Sequence, residues 1–173
     1  AAEVIATEIN HPLPSDLFTC GLTHDIGKIA LYTMDQETML NVVEYAKVNS
    51  KSYWEAETEM KIPNHAVIGG LLADKWDLPQ QICVAIKYHH KLDPNQRGGI
   101  AANLNQVVDI VFLANLLIHA LKFGNSGHEQ RVGAPTDLME RLGIDPTEGF
   151  KKVLLKIKDS LGQAEEFIRV IGN

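Results

Sequence analysis

Apolar residues recur at helical spacing along most of the chain, and no stretch alternates as a half-buried strand would. Ala1 to Ile9 reads as the end of a helix, broken by the His11-Pro-Leu-Pro14 segment. Ser15 and Asp16 are suited to cap a helix running to about Thr33, with Phe18, Leu22, Ile26 and Ile29 as its buried stripe. Further helices are predicted from about Gln36 to Val48, from Ser52 to Lys61, from Pro63 to Trp76 and from Pro79 to His90. Lys91 to Ala102 reads as a loop, and Asn103 with Gln106 as a capping box for a long apolar helix reaching Phe123. A polar loop over Gly124 to Gly133 and a short helix ending at Gly143 follow. Asp145, Pro146 and Glu148 open a final helix with Phe150, Val153, Leu154, Ile157, Leu161, Phe167 and Ile168 as its core stripe. The pattern predicts an all-α bundle of about seven or eight helices forming one domain over residues 1–173.

Length and composition narrow the functional classes. A chain of 173 residues can bury one sizeable core, and 45% hydrophobic with 22% charged residues is ordinary for a globular protein. The net charge of −6 argues against general nucleic-acid binding, which needs clustered cations. The apolar stretch Val107 to Phe123 is interrupted by Asp109, Asn115, His119 and Lys122, so it reads as a buried helix and not a membrane span. Cys20 and Cys83 sit among apolar neighbours without CxxC spacing, as free buried thiols of a cytoplasmic protein would. The chain opens without a signal-peptide pattern or an initiator Met, inside a helix-like segment, which suggests a piece of a longer chain.

Candidate chemistry gathers at four places. His24 and Asp25 are adjacent within an apolar helix-like segment, and Lys28 follows four residues after His24. A buried imidazole and carboxylate need compensation, which a divalent ion such as Fe, Mn or Zn supplies; a simple His–Asp hydrogen bond is the alternative. Lys28 could then meet a phosphate or nucleotide. His65 opens a helix whose Gly69 and Gly70 serve no turn and suggest a close helix approach. His89 and His90 end another helix, where they either complement its dipole or face a metal. Asn115 and His119 share a face of the long helix, with Asp109 pointing elsewhere. Tyr53 and Trp54, among Glu55, Glu57 and Glu59, read as an amphipathic scaffold helix before a partner surface, and Trp76 as core or boundary packing. His119 and His128 adjoin no motif.

Taken in order, His-Asp, His, His-His and a polar residue in a later helix resemble the HD superfamily of metal-dependent phosphohydrolases. The finer resemblance is to the HDOD (HD-related output domain) family of bacterial signalling proteins. It rests on Gly21-Leu-Thr-His-Asp-Ile-Gly-Lys-Ile-Ala-Leu31, on His65 with the following glycines and Trp76-Asp-Leu-Pro79, and on Ala85-Ile-Lys-Tyr-His-His90. The resemblance covers roughly residues 1 to 125. It implies metal ligation by His24, Asp25, His65, His89 and His90, with Asp25 and Lys28 at the catalytic centre if hydrolysis persists. It also implies regulatory protein partners or fused signalling domains.

Two departures weigh against hydrolysis. Val111-Phe-Leu-Ala-Asn115 places an amide where the HD pattern closes with Asp, and no histidine precedes His11. Lys91 to Gly99 also lacks the GYP loop of the HD-GYP phosphodiesterases. The expectation is therefore a regulatory module with a degenerate HD site and weak or absent turnover; the alternative is a metal-dependent phosphohydrolase acting on nucleotides or cyclic dinucleotides.

Overall fold

A computed structural model describes the backbone of residues 1–123 and 133–171, with side chains up to residue 164 and at Glu166. Residues 124–132, which include His128, and the side chains of Phe167 and Ile168 lie outside that description. The described residues are all-α, as the spacing predicts, but the chain is cut more finely than expected. Its helices are α1 Ala2–Glu8, α2 Pro14–Thr23, α3 Ile26–Met34, α4 Gln36–Val48, α5 Tyr53–Glu59, α6 His65–Lys75, α7 Gln80–Tyr88, α8 Ala102–Ala120, α9 Thr136–Arg141 and α10 Glu148–Ile171, with a 3-10 turn at Pro94–Gln96.

The expected single helix from Ser15 to Thr33 is two helices. The chain turns at His24 and Asp25: His24 ends α2, and Asp25, with φ −97° and ψ 13°, opens α3. Pro14 is the first residue of α2, so Leu13 takes the capping position expected of Ser15 or Asp16. The buried stripe also falls elsewhere. Leu17 and Cys20 of α2 and Gly27 and Leu31 of α3 face inward, whereas Phe18, Leu22 and Ile29 are exposed. One residue rotates a helical side chain by about 100°, so a stripe assigned one position late lands on solvent. Trp76, expected at the core or its boundary, is likewise exposed.

The apolar side chains form two clusters. In the larger, Ile5, Leu17, Val84, Leu113, Leu138 and Ile157 join α1, α2, α7, α8, α9 and α10. In the smaller, Leu31, Met39, Val42, Ala46, Tyr53 and Ala56 join α3, α4 and α5. α8 is long and apolar enough to cross a membrane by length and composition, but half of that stretch is buried inside the bundle, as a core helix requires. Its start is capped by Ala101 with no side-chain hydrogen bond, not by Asn103. Cys20 is buried and Cys83 partly so, and both are free.

The glycines of α6 act as its sequence suggests, and a third joins them. A Cβ at Gly27 of α3 would overlap the backbone carbonyl of His65 and lie 2.8 Å from the nitrogen of Gly69. A Cβ at Gly69 would stand 2.7 Å from Ile86 Cγ2 of α7. The main chains of α3 and α6 therefore touch, with α7 packed on the same glycine-lined face. This contact brings Asp25, His65 and the end of α7 together along the seam between the two clusters.

Candidate metal centre

Three of the four imidazoles at the seam are oriented by a partner that can only accept. Glu57 of α5 takes two hydrogen bonds from His65: Oε1 from the backbone N–H at 3.1 Å and Oε2 from Nδ1–H at 2.7 Å. His89 donates Nδ1–H to the Ile86 carbonyl at 2.9 Å, and His24 donates its own to the Gly21 carbonyl at 2.8 Å. Since carboxylates and carbonyls have no proton to give, the tautomers follow, and in their neutral forms all three rings keep a bare Nε2.

Those nitrogens converge. His65 Nε2 lies 3.2 Å from His89 Nε2 and 3.0 Å from His90 Nε2. Asp25 Oδ1 stands 3.2 Å from His65 Nε2 and 3.4 Å from His89 Nε2. One potential ligand atom from each of Asp25, His65, His89 and His90 lies within 4.8 Å of every other. His65 and His89 are buried; Asp25 and His90 are partly so. Neutral imidazoles facing one another present lone pair to lone pair, which a shared proton or a cation relieves. Asp25 Oδ1 and His24 Nε2 are buried without a properly directed hydrogen bond, despite the short approaches to Oδ1. Imidazole nitrogen with carboxylate oxygen is a donor set suited to Fe, Mn or Zn, and carboxylate-supported histidine is a common metal-site arrangement.

Electrostatics divides the protons unequally. Burial pushes the His89 pKa down to about 4, and burial with the neighbouring His89 and His65 pushes His90 well below its ordinary value. Burial also opposes charge on His65, but Asp25 and Glu57 outweigh it and raise its pKa. Burial disfavours the ionised form of Asp25, yet His65, His89, His24 and Lys28 together hold its carboxyl well below the usual range. The cluster therefore favours an ionised Asp25 and neutral His89 and His90, while His65 favours its protonated form more than a free imidazole does.

The residues singled out from sequence meet here with three qualifications. His24 is adjacent but outside the group of four, with Nε2 3.6 Å from Asp25 Oδ2 and its ring edge-on to His89. Its other neighbourhood is a cavity of about 320 Å³, mostly apolar and lined also by Asn115, Phe18 and Ile118. Lys28, expected to meet an anion, pairs with Asp25 Oδ2 at 2.7 Å and lies over the Tyr53 ring. Asp109 points away, as expected, and pairs with Arg97 and Arg141.

Sequence reasoning missed three groups around the cluster. Glu57 is fully buried, the Tyr53 ring stands edge-on to His65, and Trp54 stacks on His90 with centroids 5.8 Å apart. A signal was present for Glu57: Tyr53, Ala56, Glu57 and Met60 follow i, i+3, i+4, i+7 spacing, which places the carboxylate on the inward stripe of α5.

Comparison with known proteins agrees with this arrangement. The family model described as HDOD domain matches residues 1–92, which include Asp25 and the three clustered histidines. An uncharacterized protein of Treponema pallidum (strain Nichols) is 27% identical over 118 residues, covering 68% of this chain and 22% of that protein. The chain thus spans about a fifth of that relative's length. No solved structure matches. With the family match extending over more than half of its residues, the chain belongs to the HDOD domain family.

Proposed function

We propose that residues 1–173 act as one regulatory module of a bacterial cytoplasmic signalling protein. In this reading Asp25, His65, His89 and His90 hold a divalent cation, with His24 beside them. The module presents its bundle to regulatory partners or to signalling domains of the same chain. Its turnover of phosphate esters is weak or absent.

The observation that carries the reading is the convergence of three imidazole nitrogens and a carboxylate oxygen whose other atoms are engaged by Glu57, Ile86 and Lys28. A bound divalent ion would supply Lewis acidity there and neutralise the like-facing lone pairs. The chain's own groups do the rest. Glu57 fixes the His65 tautomer, and the Ile86 carbonyl fixes that of His89. Lys28 offsets the Asp25 charge. Asn115 supports the low-turnover reading, because a neutral amide beside His24 offers a poorer ligand than a carboxylate.

The test is metal analysis of protein purified without chelator, beside His65→Ala. One equivalent of Fe, Mn or Zn, lost in the variant, with no hydrolysis of a model phosphodiester, is the expected result. Metal-free protein that gains none on dialysis would remove the reading.

A second reading, a phosphohydrolase acting on nucleotides or cyclic dinucleotides, draws on Lys28, whose ammonium lies beside Asp25 where it could meet a phosphoryl oxygen. Metal-dependent hydrolysis abolished in both His24→Ala and Lys28→Ala would favour it over the first.

A further inference from the structure

The chain leaving His90 runs directly into a buried ionic cluster. Arg97, with no exposed surface, donates Nε–H to the Lys91 carbonyl at 2.9 Å. Its Nη1 donates to Asn105 O and Oδ1 at 3.1 and 3.2 Å. Its Nη2 donates to the Leu92 carbonyl at 3.2 Å and to Asp109 Oδ1 at 2.6 Å. All five guanidinium N–H groups are thereby used, which leaves none for a ligand.

Asp109, on α8, is nearly as buried and accepts from a second arginine. Arg141, in the last turn of α9, donates Nε–H to Asp109 Oδ2 at 2.8 Å and Nη2–H to Oδ1 at 3.0 Å. The same Nη2 donates to the Leu92 carbonyl at 3.1 Å. Nη1 meets Asp137 at 2.8 Å. Two arginines, one carboxylate and the first two carbonyls after His90 are thus tied into one network. One of those arginines lies 49 residues further along the chain.

We infer that the Arg97–Asp109–Arg141 network is a positioning device for His89 and His90, and that through Arg141 it makes the metal centre depend on α9. The inference rests on the reading of the seam as a metal centre. His90 ends no helix of its own and lacks the Glu57-type support of His65; the segment behind it is held instead by Lys91 O and Leu92 O. A bidentate arginine fixes direction as well as distance, so the anchoring of those carbonyls limits the swing of the His90 backbone. Arg141 contacts none of the cluster residues and acts on them only through Leu92 and Asp109. Arg97, Asp109 and Arg141 all lie beyond the residues that the family model matches.

Three proteins decide the matter: the wild-type chain, Arg141→Ala and Val153→Ala. Val153 is buried on α10 in the larger apolar cluster and takes no part in the network's hydrogen bonds, so its truncation loosens the same core without removing a bond to Leu92. Cobalt titration followed by the visible d–d bands is expected to show about tenfold weaker binding and an altered spectrum in Arg141→Ala, with wild-type binding in Val153→Ala. Arg141→Lys, which keeps the charge but loses the two-pronged contact, is expected to fall between.

The metal-free proteins report separately by NMR. His89 and His90 ring resonances are expected to move in Arg141→Ala and to stay in place in Val153→Ala. Cobalt affinity in Arg141→Ala within twofold of wild type, or equal weakening in Val153→Ala, would overturn the inference. Should the wild-type chain bind no cobalt, the metal reading fails; unmoved ring resonances in Arg141→Ala would then overturn the positioning role on their own.

Discussion

Glu57 and His65 meet out of reach of solvent, and one carboxylate holds both the backbone and the ring of the same histidine. The two bonds fix where α6 begins and which ring nitrogen faces Asp25. Two residues separated by eight positions and by a change of helix thus set the direction of one candidate ligand atom.

Replacing that carboxylate separates orientation from folding. Glu57→Gln keeps an acceptor for one bond but presents an amide N–H to the other donor, so His65 loses its fixed tautomer. Metal affinity is expected to drop about 10- to 100-fold with the fold retained. Glu57→Ala leaves both His65 donors unmatched in a closed site and is expected to destabilise the protein by about 3–5 kcal/mol. Calorimetric titration and denaturant unfolding measure the two effects. Equal metal affinity in Glu57→Gln and wild type would refute the orienting role.

Acid should unfold the metal-free protein in a defined window. His89 titrates near 4 in the fold against 6.5 when exposed, and His90 shifts the same way, so between those values the unfolded chain binds protons that the folded chain cannot. Stability therefore falls as pH drops from about 6.5 towards 4. Asp25 adds to the loss below its ordinary value of 3.8. His65 has the opposite sign: its raised pKa contributes stability on the acid side that disappears as pH rises through that value. Unfolding midpoints measured from above pH 6.5 down to about pH 4 check the balance. An unchanged midpoint below pH 6.5 would contradict it.

Metal binding should follow the proton on His65. An ion displaces that proton, so affinity is expected to rise with pH through the raised His65 pKa and to level off above it. Calorimetry in buffers of different ionisation enthalpy counts the proton released. Proton release that does not fall as pH rises would show that His65 is not a ligand.

The glycines of the seam should differ in tolerance. Gly27→Ala drives a methyl group into main-chain atoms of α6 and is expected to abolish folding or to destabilise it by several kcal/mol. Gly70→Ala meets the Lys87 side chain at 2.6 Å, which can turn aside at the expense of its ion pair with Asp74, while alanine improves helix propensity by about 1 kcal/mol. Thermal melts are expected to rank wild type and Gly70→Ala well above Gly27→Ala.

Trp54 offers an optical report of the site. It stacks on His90, whereas Trp76 lies at the far end of α6, about 16 Å along the axis from His65. Paramagnetic Co²⁺ is expected to quench most of the fluorescence of Trp76→Phe and little of that of Trp54→Phe. Equal quenching in the two variants would place the ion elsewhere.

Parts of this arrangement are legible in the sequence for physical reasons. α4 follows from Asp35, whose side chain caps Thr38 N–H, and α5 from the capping box of Ser52 and Glu55. The shared site of Asp25, His65, His89 and His90 follows from an order of motifs, and the close helix approach follows from glycines without a turn. The break at His24–Asp25 is hidden because the flanking residues keep helical spacing, and local sequence does not register that Gly27 must meet His65. Arg97 lies in a Gly-rich polar stretch that resembles solvent-exposed loop; its burial depends on Asp109 and Arg141, which are distant in the chain. Glu57 was masked by exposed Glu59 and capping Glu55 on the same short helix.

The packing contact between the Gly27 main chain and the His65 carbonyl sets the spacing of the α3 and α6 backbones from which Asp25 and His65 project. The spacing of Asp25 from His65 and the polarity of the cavity beyond His24 therefore answer to different positions. Exchange at residue 115 alters chemistry beyond His24 and leaves the two seam groups where they are. Exchange at residue 27 forces them apart, whatever ligands remain.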